Sequence, residues 1–554
     1  MASMASPSPR RHALPPPGHH RRTLSSTLVD ESVAAAAALV HKWHPDDAPA
    51  GGSLFLHGAE EDEARRFLRA AADLHRAMLF FASDVAHGSS HGLVEAQALL
   101  QTAMRRLDLE LRVLLDDIDS IQSDHAADAS RSRNNICAVA EAMMAAGYGK
   151  ECISTFKTRR RAALTASLRR LLGFSPPVDH LHKITWDQLD ARIIPSWLAA
   201  ATAAFGSLFP AEKDLCDAVF AGDNAAVGEA VFAAVANDQA TGLLAVTEAA
   251  AARARRAPER LFRVLDVHDA LTEALPALLS VFGDGSEVAA RAALSVAKVG
   301  EAARGALGSL EAAIQKEPSK ATAAGGAVHP LTRYVMNYVV FLADYKEGLA
   351  LLYDYDYDSD SSEQASPSVI HRLVSALLSK LEAKAGCYRE AALSYLFLAN
   401  NTRYVANKVA GSGQLRGVLG DGWAEAQSAK ARAHVGVYVR AAWGKVTSLC
   451  TQQGGAEPEA VEAAVMESVG MQEQWVAADD ETGEALRAAA TAAVVPKYRM
   501  FYRRHGAAVR LTPGDVTAMI AALFGGPLDL VSQRHQEDPN PYRDPTRSPR
   551  QLFT

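Results

Sequence analysis

An all-α protein is predicted, and three observations predict it. Apolar residues recur at spacings of three and four along most of the chain, strand-like alternation is almost absent, and the apolar content leans on Ala and Leu, the strongest helix formers. Of the 554 residues 49% are hydrophobic but only 7% aromatic. That length supports several buried cores at roughly 100–200 residues per domain. No fixed-length repeat occurs, which disfavours a tetratricopeptide or armadillo solenoid. The expectation is therefore an elongated rod of consecutive, irregular helical bundles.

Residues 1–28 carry Arg10, Arg11, Arg21 and Arg22 with no acid before Asp30. An organelle transit peptide has that charge, but Pro15, Pro16 and Pro17 break the amphipathic helix it needs, so a disordered polar tail is predicted. Residues 29–135 form the N-terminal helical region. There Phe67, Ala71, Leu74, Met78 and Phe81 mark one helix stripe, and Met104, Leu107, Leu111, Leu114 and Ile118 another, with Arg105, Arg106, Asp108, Glu110 and Arg112 between them. Residues 136–324 hold middle bundles, and breaks fall at Ser120–Arg133, Ser175–Pro177, Gly283–Gly285 and Lys316–Gly326. The bundle over 325–450 opens on Gly325, Gly326 and Pro330, which stop the chain and restart it, Pro330 near a first helical position where its missing N–H costs little. Val335, Tyr338, Leu342, Tyr345, Leu349 and Leu352 then predict a stripe on one long helix. Further breaks are read at Asp354–Pro367, at Gly411–Gly420 as a helix–helix connection, and at Gln452–Pro458. Residues 451–530 form the C-terminal bundle, and 531–554, with four prolines, a second disordered tail.

Most chemistry is excluded. Cys137, Cys152, Cys216, Cys387 and Cys450 are scattered, odd in number and without CxxC spacing, which reads as buried or idle thiols and not as a disulfide or zinc framework. The net charge of −7 argues against general nucleic-acid binding. No run is read as long and apolar enough to span a membrane, no signal-peptide core is seen, Met1 is not followed by Gly, and no C-terminal Cys awaits a prenyl group. Any membrane contact is therefore expected to be peripheral and cytosolic. Asp354, Asp356 and Asp358 alternate like EF-hand ligands, but Ser359 and Ala365 stand where Gly and a bidentate Glu are needed. A solvated acidic loop with phosphorylatable Ser359, Ser361 and Ser362 is predicted instead. Asn400-Asn401-Thr402 matches a glycosylation acceptor by letters alone. No HExxH, GxSxG or P-loop occurs, and His268 and His329 read as packed or exposed residues. No enzyme and no cofactor is expected.

Near the C-terminus, Lys497, Arg499, Arg503, Arg504 and Arg510 lie in a stretch without an acid. From Pro496 onward nine Lys/Arg face five Asp/Glu, inside an acidic chain. These five residues are candidate contacts to an anionic leaflet, worth about 1 kcal/mol each near the surface. The other reading is a solvated helix face whose charges pair locally.

Several stretches resemble the seventy-kilodalton subunit of the exocyst, in its plant form. They are GGAVHPLTRYVMNYVVFLADYKEGLALL (Gly325–Leu352), the Gly-Tyr and Lys-Glu-Cys block within Ala140–Phe174, RLFRVLDVHDALTEALP (Arg260–Pro276), YLFLANNTRYVANKVAGSGQLRGVLGDGW (Tyr395–Trp423) and YVRAAWGKV (Tyr438–Val446). Trp43 and Ala103–Leu115 fit as well, so the collinear similarity covers about Val29–Phe524. The resemblance implies stacked helical bundles, other exocyst subunits as partners, and tethering of secretory vesicles at the inner face of the plasma membrane. It also implies phosphatidylinositol bisphosphate contact through a basic C-terminal bundle, and no catalytic residues. Two departures stand out. The family's lysine-bearing Asn-Pro stretch is missing, His505–Phe524 running almost directly to the last helix, and the N-terminus is short for the coiled-coil region. They motivate an alternative, a diverged member acting as an interaction module bound by immune or pathogen proteins, with lipid optional.

Overall fold

The computed structural model describes residues 24–46, 52–55, 61–83, 90–118, 126–173, 181, 183–354, 368–452, 456–506 and 508–524, and among them every regular element is a helix. The N-terminal helices are α1 (Leu24–Lys42), α2 (Glu61–Ser83), α3 (Ser90–Asp117), α4 (Ala126–Ala145) and α5 (Gly149–Leu172). Next, α6 (Trp186–Gln188), α7 (Ile194–Ala203) and α8 (Phe209–Val219) are joined through π turns. They are followed by α9 (Ala225–Ala254), α10 (Leu261–Phe282), α11 (Glu287–Lys316), α12 (Pro330–Leu342) and α13 (Lys346–Asp354). The rest are α14 (Val369–Ala385), α15 (Ala391–Ala410), α16 (Gly413–Leu419), α17 (Asp421–Thr451), α18 (Pro458–Gln472), α19 (Asp480–His505) and α20 (Pro513–Ala522). The break at Ser175–Pro177, the acidic run after Asp354 and the C-terminal tail lie outside the described residues. Helix α1 begins at Leu24, within the stretch read as a tail.

Contacts divide the chain into two units. The first comprises Met1–Asp179, Pro195–Leu244 and Ala274–Ala292. Its α2 buries Ala64, Phe67, Ala71 and Leu74, and α3 buries Met104, Leu107, Leu111 and Leu114, so the stripes read from spacing are core faces. Two of the charges between them are not solvated. Arg106 and Glu110 are buried as an ion pair. Glu110 also accepts from the Ser53 hydroxyl at 2.6 Å and the Leu54 N–H at 3.1 Å, while Arg106 donates to the Gly52 carbonyl at 2.7 Å and lies 5.1 Å over the Trp43 ring. Removing one partner of such a pair strands a charge in the core. A second buried pair, Arg160 on α5 with Glu212 on α8 at 2.7 Å, holds those helices together. Helix α4 starts at Ala126, so the expected break around Ser120–Arg133 is shorter than predicted, its polar residues Arg131 and Arg133 belonging to a helix that packs on α3 and α5.

The expectation that no segment has the make-up of a membrane span is corrected. Trp186–Val219 is long and apolar enough by length and composition, since Ile193–Ala211 carries no charge. Its apolarity has a packing use: Trp197 is fully buried and donates its indole N–H to the Leu243 carbonyl at 3.0 Å, and the buried Phe209 meets the buried Phe205 and the half-buried Phe282.

The second unit comprises His180–Ile194, Ala245–Glu273 and Ala293–Thr554. The predicted long helix over Val335–Leu352 is two helices, because a 3-10 turn at Ala343–Tyr345 intervenes. The break coincides with Tyr345, whose hydroxyl donates to Asp266 at 2.7 Å, a distant partner that no periodicity reports. Gly411–Gly420 is likewise more than a connection, since Ser412 caps the short helix α16 by accepting from the Leu415 N–H.

Asn400 and Asn401, fully buried on α15, tie three segments together. Asn400 donates to the carbonyls of Gly326 at 2.7 Å and Val476 at 2.8 Å and accepts from the Ala478 N–H at 2.9 Å. Asn401 accepts from the His329 N–H at 2.9 Å and the Thr332 hydroxyl at 2.7 Å, and donates to the Phe397 carbonyl at 2.8 Å. Such burial rules out the glycosylation reading. Gly325 is required here twice over: its φ is +62°, and a Cβ would meet the Gln474 carbonyl oxygen at 2.5 Å. Next to this cluster the buried Lys384 donates to the carbonyls of Pro318 at 2.7 Å and Ala321 at 2.8 Å, and Glu317 lies 3.5 Å away.

His329 caps α12. Its Nδ1 accepts from the Leu331 N–H at 3.0 Å, so Nε2 carries the proton given to the Ala321 carbonyl, also 3.0 Å away. Burial, and then the charge of Lys384, push its pKa below the ordinary 6.5.

Two outcomes follow from these geometries. Asn400→Ala removes the partner of the buried Gly326 carbonyl and of the part-buried Val476 carbonyl and Ala478 N–H, and should destabilise the chain by about 3 kcal/mol at roughly 1–3 kcal/mol per stranded group; a urea titration showing under about 1 kcal/mol would contradict this role. Because the folded chain favours neutral His329, the unfolded chain binds more protons as pH falls below 6.5. The contribution of His329 is thus complete above 6.5 and is lost as pH drops from there through the lower folded pKa. His329→Asn, which retains a capping acceptor, should flatten that part of a melting-temperature profile.

Candidate membrane-contact site

Helix α19 carries four of the five predicted lipid-contact residues. Asp479 starts it by accepting from the Thr482 N–H at 2.7 Å, Asp480 and Glu481 occupy its first turn, and Arg503, Arg504 and His505 its last. That order complements the helix dipole, so part of the basic character at this end serves the helix itself. Tyr498 and Phe501 are buried. The Tyr498 hydroxyl donates to the Leu511 carbonyl at 2.9 Å, and the Phe501 ring stacks on His505 at 4.9 Å between centroids. Burial raises the Tyr498 pKa, so this hydroxyl stays neutral.

These anchors turn the opposite side outward. Lys497, Arg499, Arg503 and Arg504 are all exposed. At about 100° per residue they share an arc of roughly 160°. Met500, 49% exposed, sits within that arc. None of the four cations has an ion pair among the described residues. Arg510 belongs to a different element, the loop between α19 and α20. Glu462 of α18 accepts from the backbone N–H of Arg510 and, at 2.8 Å, from that of Leu511, which ties this loop to α18. The structure thus groups four of the predicted residues on one helix face and sets Arg510 apart.

The loop is short because α20 starts at once. Thr512 accepts from the Asp515 N–H at 3.2 Å, and Asp515 accepts from the Thr512 N–H at 2.8 Å, closing a capping box. The Thr512 N–H and the Thr512 hydroxyl, which also donates to the Asp515 carboxylate at 2.8 Å, hold that carboxyl below its ordinary pKa. Sequence reasoning missed Met500, since an exposed apolar residue is visible only after the buried side of the helix is known.

Comparison with known proteins agrees with this architecture. The family model for the C-terminal part of the Exo70 exocyst complex component matches residues 195–522, and the model for the N-terminal part matches residues 32–117. The chain belongs to the Exo70 family of exocyst subunits. Its relatives include the Arabidopsis thaliana exocyst complex components EXO70B2, 33% identical over 70% of this chain and 64% of that protein, and EXO70C2, 31% identical over 70% and 60%. EXO70A1 is 27% identical over 85% of each. The match therefore spans less than two thirds of the length of EXO70B2 and EXO70C2, and most of EXO70A1. The crystal structure of the S. cerevisiae exocyst component Exo70p shares the fold, with a TM-score of 0.61 over 90% of this chain and 99% of that one, at 13% identity.

Elsewhere in this Exo70-family chain, among the described residues, no group of His, Cys, Asp and Glu is arranged to hold a metal ion. Burial pushes the thiols of Cys152 and Cys216 up to about 12 and that of Cys450 up to about 11, so none is a nucleophile at neutral pH. Cys137 is half-buried and Cys387 exposed. In a time course with a disulfide-exchange reagent on the native chain, Cys387 should label first and Cys152, Cys216 and Cys450 only after denaturation. Early labelling of any of those three would contradict their burial.

Proposed function

We propose that this chain is a non-enzymatic exocyst subunit that helps tether secretory vesicles to the plasma membrane, with other exocyst subunits as partners. It works from the cytoplasmic side and touches phosphoinositides peripherally through α19. The collinear match to both Exo70 family models supports the first part, and the exposed face of Lys497, Arg499, Arg503 and Arg504 supports the second. Four cations at about 1 kcal/mol each give roughly three decades of affinity. That is enough for a reversible contact that assists a complex and too little to anchor the chain alone. The alternative, a diverged interaction module with weak or no lipid binding, is favoured by the lysine-free stretch after His505.

Flotation with vesicles containing phosphatidylinositol bisphosphate at physiological salt separates the two readings. The unmodified chain should float. The variant Lys497→Glu, Arg499→Glu, Arg503→Glu, Arg504→Glu should lose most of that binding, while Arg510→Glu should change it little. Absence of binding by the unmodified chain sinks the membrane half of the proposal. Failure to co-purify any other exocyst subunit from cells sinks the tethering half independently.

A further inference from the structure

A shallow groove of about 460 Å³ in the second unit runs along α11, on a different element from the face just described. Arg255 and Arg256, just past the end of α9, and Arg304 of α11 rim it, and Gly308 and Ser309 form its floor. The arginines are committed to different degrees. Arg255 pairs with Glu301, and Arg304 donates to the Leu352 carbonyl at 2.8 Å, an acceptor without formal charge. Arg256 is exposed and has no ion pair among the described residues. Three arginines against Glu301 leave the lining a net charge of +2, within a chain whose net charge is −7.

The floor is bare without a packing reason at one position. Gly305 has such a reason, since a Cβ there would meet the Arg255 carbonyl oxygen at 2.4 Å. Gly308 has none: it is exposed, and a Cβ there would meet nothing within 4 Å. It lies well inside α11, Glu287–Lys316, where glycine is less favourable than alanine. The helix gains nothing from Gly308, but a chain lying along α11 would, because the missing side chain lets its backbone approach closely.

We propose that this groove docks an extended acidic segment of a partner protein, its carboxylates or phosphoserines held by Arg255, Arg256 and Arg304 over Gly308. Clustered guanidiniums suit acidic and phosphorylated motifs, because each can make two parallel bonds to a carboxylate or phosphate. The length fits as well. From Glu301 to Ala312 the groove runs about 16 Å at roughly 1.5 Å per residue, room for about five extended residues at roughly 3.3 Å each. Two other occupants fit less well. A small molecule is held by burying about 70–90% of its surface, which a shallow groove cannot do. A flat leaflet would meet the arginines at the rim and make no use of the bare floor between them. Guanidinium–carboxylate pairs at a surface are individually weak, so the contact is reversible and salt-sensitive. Neither the site nor its occupant depends on lipid contact at α19.

Fluorescence anisotropy on the full chain tests this with a labelled peptide of four aspartates around a central phosphoserine. At about 0.1 M salt the peptide should bind saturably, and its serine form at least about threefold more weakly, since phosphate adds about −1.5 to −2 charge. Arg256→Glu should weaken binding at least about tenfold, as should about 1 M salt, where the Debye length falls to about 3 Å. Gly308→Leu, which fills the floor and leaves the charge alone, should do the same with the melting temperature unchanged or raised. The variant Lys497→Glu, Arg499→Glu, Arg503→Glu, Arg504→Glu should bind the peptide as the unmodified chain does. No saturable binding up to about 1 mM peptide overturns the proposal. So does an affinity indifferent to Arg256→Glu or to Gly308→Leu, or one lost in the α19 variant instead. Flotation with phosphatidylinositol bisphosphate vesicles that is lost in Arg256→Glu, without peptide binding, would make the groove a lipid site and overturn the proposal as well.

Discussion

Buried backbone groups must find partners, and in the second unit two adjacent asparagines supply them. The segment before α12 and the segment before α19 are irregular, so their carbonyls and N–H groups have no helical ladder to satisfy them. Asn400 serves Gly326, Val476 and Ala478, and Asn401 serves His329 and Thr332. A direct bond from the Val476 N–H to the Gly325 carbonyl, at 2.8 Å, closes the set. The direction in which α12 and α19 set off depends on this cluster. Because α19 carries the exposed cations, a polar network in the core governs the placement of the candidate membrane contact.

Charged residues do opposite work in different places. Arg160 with Glu212 is buried and joins α5 to α8, and the buried Arg106 and Glu110, both on α3, bond to Gly52, Ser53 and Leu54. Pairs of this kind specify an arrangement more than they stabilise it, since desolvation cancels much of their attraction. On α19 the cations face water unpaired, which keeps their charge available to an anionic surface. Around α11 the arginines stand between these extremes, partly used to hold backbone and partly open. Residue type alone separates none of these roles; burial and partner do.

Much of the helical organisation is legible in spacing. The stripes through Phe67–Leu74 and Met104–Leu114 became core faces, and Gly325, Gly326 and Pro330 mark a real stop and restart, because each rests on local geometry. One expectation failed for a reason that is not local: the helix over Val335–Leu352 is interrupted beside Tyr345, which bonds to Asp266 far earlier in the chain. Arg106 and Glu110 are buried by partners, Gly52, Ser53 and Leu54, that are distant in sequence. The apolar length of Trp186–Val219 was underestimated, and its burial around Trp197 and Phe209 shows what that length packs against.

By itself, then, the sequence determined the all-α class, most helix stripes and the family, since periodicity, breakers and collinear blocks are written along the chain. It also located the basic stretch near the C-terminus. Only the tertiary structure decided which cations share a face, that the Arg510 backbone is tied to Glu462, that Met500 is exposed among the arginines, and that Asn400 and Asn401 are structural and not glycosylation acceptors. Those outcomes depend on which surfaces other helices cover, and covering is a long-range property that no local pattern encodes.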